Sequence, residues 1–357
     1  MAKFSEILTI VNGKNQSKVE NPNGRYPIYG SGGVMGYADD YLCDAETVVI
    51  GRKGSINKPI YVEEPFWNVD TAFGLVANRD LLLPKYLFYF CVYFDFEQLN
   101  TTVTIPSLTK ANLMNIEMML PSLVVQQEII NRLSKIDELI ALRKEQLAKL
   151  DQLVKSRFIE LFGDPVYNNN GLPTKKLHEL GSLDRGRSQH RPRNDPKLLN
   201  GPYPLIQTGE VASAGLYITE YKNTYSELGL QQSKMWKAGT LCITIAANIA
   251  QTAILTFDAC FPDSVVGFVP NDSASAIYMH YWFGFFQKIL EEQAPQVAQK
   301  NINLKILSDL DVMVPTKEQQ EQFAAFVEQT DKSKLAIQKS LDKLELLKKS
   351  LMQQYFG

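Results

Sequence analysis

Cysteine is scarce in this chain, with Cys43, Cys91, Cys242 and Cys260 each standing alone. None lies in a C-x-x-C pair, so neither a zinc site of clustered cysteines nor a disulfide framework is expected. Histidine is scarcer still: His178, His190 and His280, none in an H-E-x-x-H motif. There is no G-x-x-x-x-G-K-S/T phosphate loop and no G-x-S-x-G nucleophile elbow. Pro262-Asp263 is not followed by the Asp/Glu-x-Lys of common metal-dependent nucleases. These gaps exclude the motif-bearing enzymes.

Neither sign of charge dominates. Lys and Arg number 37 against 39 Asp and Glu, for a net charge of −2. A uniformly basic, histone-like protein is excluded, while a local basic face is not. Long hydrophobic runs are missing as well. The greasiest stretches, 86–96 and 276–286, fall short of the roughly 20 residues a bilayer span requires. They read as aromatic-rich core helices. The start, Met1-Ala-Lys-Phe-Ser-Glu, lacks the apolar core and cleavage pattern of a signal peptide, so a cytoplasmic location is expected.

What is present is a 357-residue chain, 45% hydrophobic and 21% charged, suited to about two globular domains. Its dominant feature is an internal repeat. At an offset of 194, Leu113-Met-Asn-Ile-Glu-Met-Met-Leu-Pro121 lies on Leu307-Ser-Asp-Leu-Asp-Val-Met-Val-Pro315. Gln126 then falls on Gln320, Asp137 on Asp331, and Phe162-Gly163 on Phe356-Gly357. Across 113–163 there are 13 identities in 51 positions, where chance supplies about three. Upstream the match continues with shifting offsets. Phe4-x-Glu6-Ile7 resembles Leu177-x-Glu179-Leu180, the stretch from Pro27 to Val34 resembles that from Pro204 to Val211, and Asp70 falls on Asp263. The offset grows from 173 to 194, so the second copy carries about twenty extra residues, mainly between 187 and 238. Loops that differ while elements persist are where a variable task resides.

Each copy has two parts. The first mixes short β-like runs (47–50, 74–77, 116–120, then 241–245, 267–270, 310–314) with an aromatic helix. The second is one long helix. Residues 124–161 contain no Pro or Gly, and apolar residues recur in 3–4 steps at Ile129, Leu133, Ile136, Ile140, Leu147, Leu150, Val154 and Leu161, with Arg143 and Arg157 in the remaining slots. The later copy shows Phe323, Val327, Ile337, Leu341, Leu344, Leu351 and Tyr355, with Thr330, Lys334 and Lys348 in the other slots. Such sustained heptad stripes predict coiled-coil arms. A 38-residue helix would be about 57 Å long. Two arms in one chain suggest an intramolecular antiparallel pair with a pseudo-two-fold relation between the copies. Independent helical hairpins or a coiled coil between chains would bury the same stripes.

The globular module, the Leu-Pro-x4-Gln start (Pro121 to Gln126, Pro315 to Gln320), the long helix and the closing Leu161-Phe-Gly-Asp-Pro165, all repeated once, resemble the DNA-specificity subunit of type I restriction–modification systems. The resemblance covers essentially the whole chain and is most specific at the helix starts and Phe-Gly closures. It implies an α+β chain with two mixed α/β target recognition domains separated by two long antiparallel coiled-coil helices. The domains would be 1–121 and 163–315, the helices 122–162 and 316–357. It further implies that each domain reads one half of a bipartite asymmetric site in double-stranded DNA. The helices would set the spacer and dock two copies of an adenine-methylating subunit, with nuclease–translocase subunits joining the full complex. The chain itself would be non-catalytic. The adenine-methylation signature, Asn/Asp-Pro-Pro-Tyr/Phe, is indeed missing. S-adenosylmethionine, ATP and magnesium are then expected on partner subunits, with no cofactor on this chain. The geometry agrees: a spacer of about 57 Å can separate half-sites roughly 34–36 Å apart. Two similar but non-identical readers select an asymmetric site, whereas a homodimer selects a palindrome.

The best candidate for DNA contact is Asp184-Arg-Gly-Arg-Ser-Gln-His-Arg-Pro-Arg-Asn-Asp-Pro-Lys197, with Arg185, Arg187, Arg191 and Arg193. Arginine forks match phosphate oxygens and the guanine edge. In the first copy the candidates are Lys14, Lys18 and Arg25, then Arg52, Lys53 and Lys58 in a loop whose glycines allow close backbone approach to phosphate. The counterpart loop, 244–251, carries no charge. Tyr29 and Ser31 in one copy, and Gln207 and Thr208 in the other, offer polar groups on what read as tight turns. Segments 101–110, with Lys110, and 296–301, with Gln299 and Lys300, precede the strands leading to the long helices. Lys222 and Lys234 lie in the inserted part of the second copy. Two rival readings stay open at this point: the recognition half of a larger fused nuclease–methylase, and a coiled-coil scaffold that binds only proteins.

Overall fold

The computed structural model of the chain describes residues 1–100, 107–246, 249–286, 288–289 and 302–357. Two compact units emerge, one of Met1–Gln146 with Ile337–Gly357, the other of Leu147–Ala336. Both long helices, Leu123–Phe162 and Lys317–Phe356, contribute to both units, and each has 40 residues.

In the first unit, strands Leu8–Asn12, Ala72–Ala77, Thr47–Gly51 and Ile60–Val62 form an antiparallel sheet in that spatial order. A second sheet holds Gly33–Ala38, Tyr26–Gly30 and Trp67–Asn68. The run Thr47–Gly51 is buried on both faces, which accounts for its unbroken Val-Val-Ile composition. The aromatic stretch is the helix Pro84–Tyr93, with proline in its first turn where a missing N–H costs nothing. Its Tyr86, Leu87 and Phe90 share one core with Phe4, Leu75 and, from the long helices, Leu133 and Phe356.

The second unit repeats the plan. Gly181–Arg185, Val265–Pro270, Leu241–Thr244 and Thr252–Leu255 take the places of the first four strands, and Tyr217–Ile218 is added at the edge. A second sheet holds Asn223–Tyr225, Leu199–Leu205, Ala259–Cys260 and Met235–Trp236. The aromatic helix is Ala276–Phe283. The core joins Tyr278 and Trp282 to Phe158, Phe162, Phe323 and Val327 of the long helices.

The repeat is most exact where chain segments meet. The Phe4 N–H donates to the Ile116 carbonyl at 2.9 Å, and the Leu177 N–H donates to Leu310 at 3.0 Å. Glu6 accepts from the Lys3 N–H, as Glu179 does from Lys176. The Tyr86 hydroxyl donates to the Met119 carbonyl, as Tyr278 does to Met313. The closing phenylalanines do equivalent work too. Phe356 lies 5.2 Å from the Tyr86 ring, and Phe162 lies 5.1 Å from Tyr278. Gly163, at φ +83°, takes the left-handed conformation that ends the central helix.

Within each unit the long helices run antiparallel. In the first, Arg132 donates to Tyr355, Asp137 pairs with Lys348 at 2.6 Å, Arg143 donates to Ser340 and Lys144 pairs with Glu345. In the second, Asp151 pairs with Lys334 at 2.6 Å and Phe158 meets Phe323. The numbers run in opposite directions, 132 against 355 and 143 against 340 in the first unit, 151 against 334 and 158 against 323 in the second. Ile129, Leu133, Ile136, Phe323, Val327 and Leu341 are buried, whereas Ile140, Leu147, Leu150, Ile337, Leu344 and Leu351 are half-buried. The polar slots of the stripe are filled by partnered groups: Lys334 and Lys348 by the ion pairs, and Thr330 by its bond to the Phe326 carbonyl.

One local expectation is corrected. Gln207 to Glu210 is not a tight turn, because Thr208–Ser213 is a short helix whose Glu210 carboxylate accepts from the Gln207 N–H at 3.2 Å. In the first copy Ser31-Gly32 joins two strands of a hairpin, and Gly33, at φ +119°, supplies the backbone freedom to turn back. The sequence Gly-Glu-Val-Ala in the second copy continues as helix instead.

Candidate nucleic-acid interface

In the first unit three of the singled-out segments come together. A Cβ on Gly51 would stand 3.0 Å from the Ser31 Cβ and 2.5 Å from the Ser55 carbonyl oxygen, so glycine is what lets the hairpin tip rest on the loop after strand Thr47–Gly51. The Arg52 carbonyl accepts from the Leu108 N–H at 2.9 Å, and Lys53 bridges to Ser107. Arg52 lies 5.7 Å over the Phe73 ring, and Arg52, Lys53 and Lys58 are exposed.

The other candidates of this unit divide into braces and surface groups. Lys110 donates its Nζ to the Ile10 carbonyl at 2.8 Å and so braces the fold. Tyr29 packs its ring edge-on to Phe66, and burial, helped by the charge of Glu64, pushes its phenol pKa up. Lys14 is held by its backbone, between the Asn68 carbonyl and the Trp67 indole, with its side chain exposed. Lys18 is exposed, and Arg25 lies over Tyr26.

In the second unit the basic stretch is strongly tethered. Arg193 donates to the Asp263 carboxylate at 2.5 Å, Arg191 stands 3.6 Å from the other carboxylate oxygen, and Arg185 donates to the Asp263 carbonyl at 3.0 Å. Lys234 reaches Asp184 at 2.7 Å while lying 4.0 Å over the Trp236 ring. That hydrogen bond holds the Asp184 pKa below the usual carboxylate range. Gln232 accepts from the backbone N–H groups of Gln189 and His190. Arg187 is exposed and enters no ion pair among the described residues. Lys222 is exposed as well.

Behind the tethered loop is a cavity of about 370 Å³ whose lining includes Ser188, Arg193, Asn194, Gln207, Thr208 and Asn223. Ser188 and Asn194 lie within the basic stretch 184–197 and Asn223 beside Lys222, but their residue types gave no reason to name them, and nothing marked Asp263 as the loop's anchor. The match of Asp263 to Asp70 across the repeat was the one signal pointing to that carboxylate. Gln299 and Lys300 lie outside the described residues, as do 101–106 and 247–248.

Among the described residues no group of three or more His, Cys, Asp or Glu is placed to hold a metal ion. No helix there is long and apolar enough to cross a membrane. The cysteines are free and buried.

A chain built as two matching units, each carrying its own loop cluster on one shared plan, invites comparison with known proteins. Residues 1–152 and 169–348 match the family model of the type I restriction modification DNA specificity domain. The chain belongs to that family. It is 23% identical, over 98% of its own length and 94% of the relative's, to a protein of Haemophilus influenzae named "putative type I restriction enzyme specificity subunit". In fold it is similar to the S subunit of a type I restriction–modification system from M. genitalium, with a TM-score of 0.63 at 15% identity over 100% of this chain and 95% of that one. It is similar too to a chain solved in a study of assembly and conformational transition of the type I R-M system, with a TM-score of 0.62 at 16% identity over 99% and 96%. The chain is thus a type I specificity subunit with two DNA-specificity domains, and its family serves recognition rather than catalysis.

Proposed function

We propose that each specificity domain reads one half of a bipartite, asymmetric DNA site, and that the paired long helices set the spacer and dock two copies of an adenine-methylating subunit. Nuclease–translocase subunits complete the assembly in the cytoplasm. S-adenosylmethionine, ATP and magnesium act on those partners, and this chain binds none of them. The observation that carries the reading is a conserved plan with divergent loops. Anchoring bonds recur almost atom for atom between the two copies, while Arg52-Lys53 in one and the tethered arginines with their cavity in the other are unlike. Two unlike readers on like mounts suit two different half-sequences.

Exposed Leu142 and Leu153 on the central helix, and Leu346 and Leu347 on the C-terminal one, offer apolar surface for protein partners beyond the paired stripe. The decisive experiment is methylome sequencing of a host carrying this gene with its methylation gene, against a deletion of this gene alone. Loss of N6-methyladenine at one split, asymmetric motif is the expected result. An unchanged methylome would overturn the reading.

A further inference from the structure

The cavity of the second unit has a chemistry of its own. Nearly all its lining lies between 187 and 238, where the second copy is longer than the first. The side chains of Asn194 and Asn223 are exposed and make no hydrogen bond among the described residues, and Gln207 stands beside them at the start of the short helix Thr208–Ser213. Leu205 and Tyr225 supply apolar wall.

The cations around this cavity are already engaged. Arg193 and Arg191 face Asp263, and Lys234 faces Asp184. A guanidinium tied to a carboxylate is poorly placed to fork onto a guanine. The lining's polar side chains without a charged partner include the amides of Asn194, Gln207 and Asn223 and the hydroxyls of Thr208 and Ser264, and an Asn or Gln amide matches the N6/N7 edge of adenine with one donor and one acceptor.

We propose that this cavity is the base-reading site of the second unit and selects an A·T pair. The amide wall of Asn194, Gln207 and Asn223 takes the adenine edge, and the arginines with Asp263 brace the loop. The inference rests on the half-site reading above and assigns the residues that make one of its choices.

The test uses the full chain assembled with its methylation subunit. Methylomes are compared for the wild type and for Asn194→Ala, Gln207→Ala and Asn223→Ala. The amides are exposed, so thermal unfolding of the complex should be unchanged. The expected result is that one A·T position, in one half-site only, becomes degenerate, with discrimination there falling roughly 5- to 150-fold. Competition between duplexes differing at that position should give the same ratio. Retention of the wild-type motif by all three variants, or relaxation at a G·C position, would overturn the assignment. A wild type that directs no split motif would instead sink the half-site reading, and the assignment with it.

Discussion

The side chain of Gln126 is clamped on Leu83: its Oε1 accepts the Leu83 N–H at 2.8 Å, while its Nε2 donates to the carbonyls of Leu81 and Pro121 at 2.9 Å each. Gln320 repeats the arrangement with Ser275, Ser273 and Pro315. The amide ties the start of a long helix to the start of an aromatic helix and satisfies backbone groups that would otherwise be buried unpaired.

Replacing either glutamine by alanine should therefore cost about 3 kcal/mol, since each buried polar group left unpaired costs about 1–3 kcal/mol. Gln126→Glu should be worse, because a carboxylate cannot donate to the two carbonyls. Urea unfolding of the full chain checks both, and a Gln126→Ala chain as stable as the wild type would contradict the clamp.

Phe162 is fully buried against Phe158, Tyr278 and Phe323. Phe162→Ala should lose about 3–5 kcal/mol through lost transfer energy and a cavity. Phe162→Leu should lose less. Thermal unfolding of the two variants, compared with the wild type, measures the difference.

His280 resists protonation in the folded chain. Burial pushes its pKa down to about 4, with the charge of Lys334 assisting and the hydrogen bond to Thr252 opposing. The unfolded value is about 6.5. The unfolded chain thus binds the extra proton between these values, so stability is full above about pH 6.5 and declines as pH falls toward 4. The total loss approaches about 3 kcal/mol. Denaturation between pH 7 and 4 should show His280→Gln losing less stability than the wild type over that window.

The loop of Arg52 and Lys53 offers two exposed cations beside the Ser31 turn. If both meet phosphate, Arg52→Ala with Lys53→Ala should reduce the slope of log K against log salt by about 1.8. The isolated chain, at net charge −2, should itself bind random duplex weakly at physiological salt. Titrations of the assembled complex at several salt concentrations test the first statement, and of the chain alone the second.

Read alone, the sequence determined the parts whose signal is local or repeated. Heptad spacing places Leu133 and Val327 in a buried stripe because a helix returns to the same face every three to four residues. The match of Gln126 to Gln320 and of Phe162 to Phe356 marked the copies, although not what those residues hold. The tertiary structure alone decided the partners. Asp263 meets Arg193 across 70 residues, and Asp184 meets Lys234 across 50. No periodicity encodes those pairings, so three of the four arginines that read as free are held in a braced loop. The cavity followed the same logic: Ser188, Gln207 and Asn223 stand far apart in sequence, and only the fold brings them around one space.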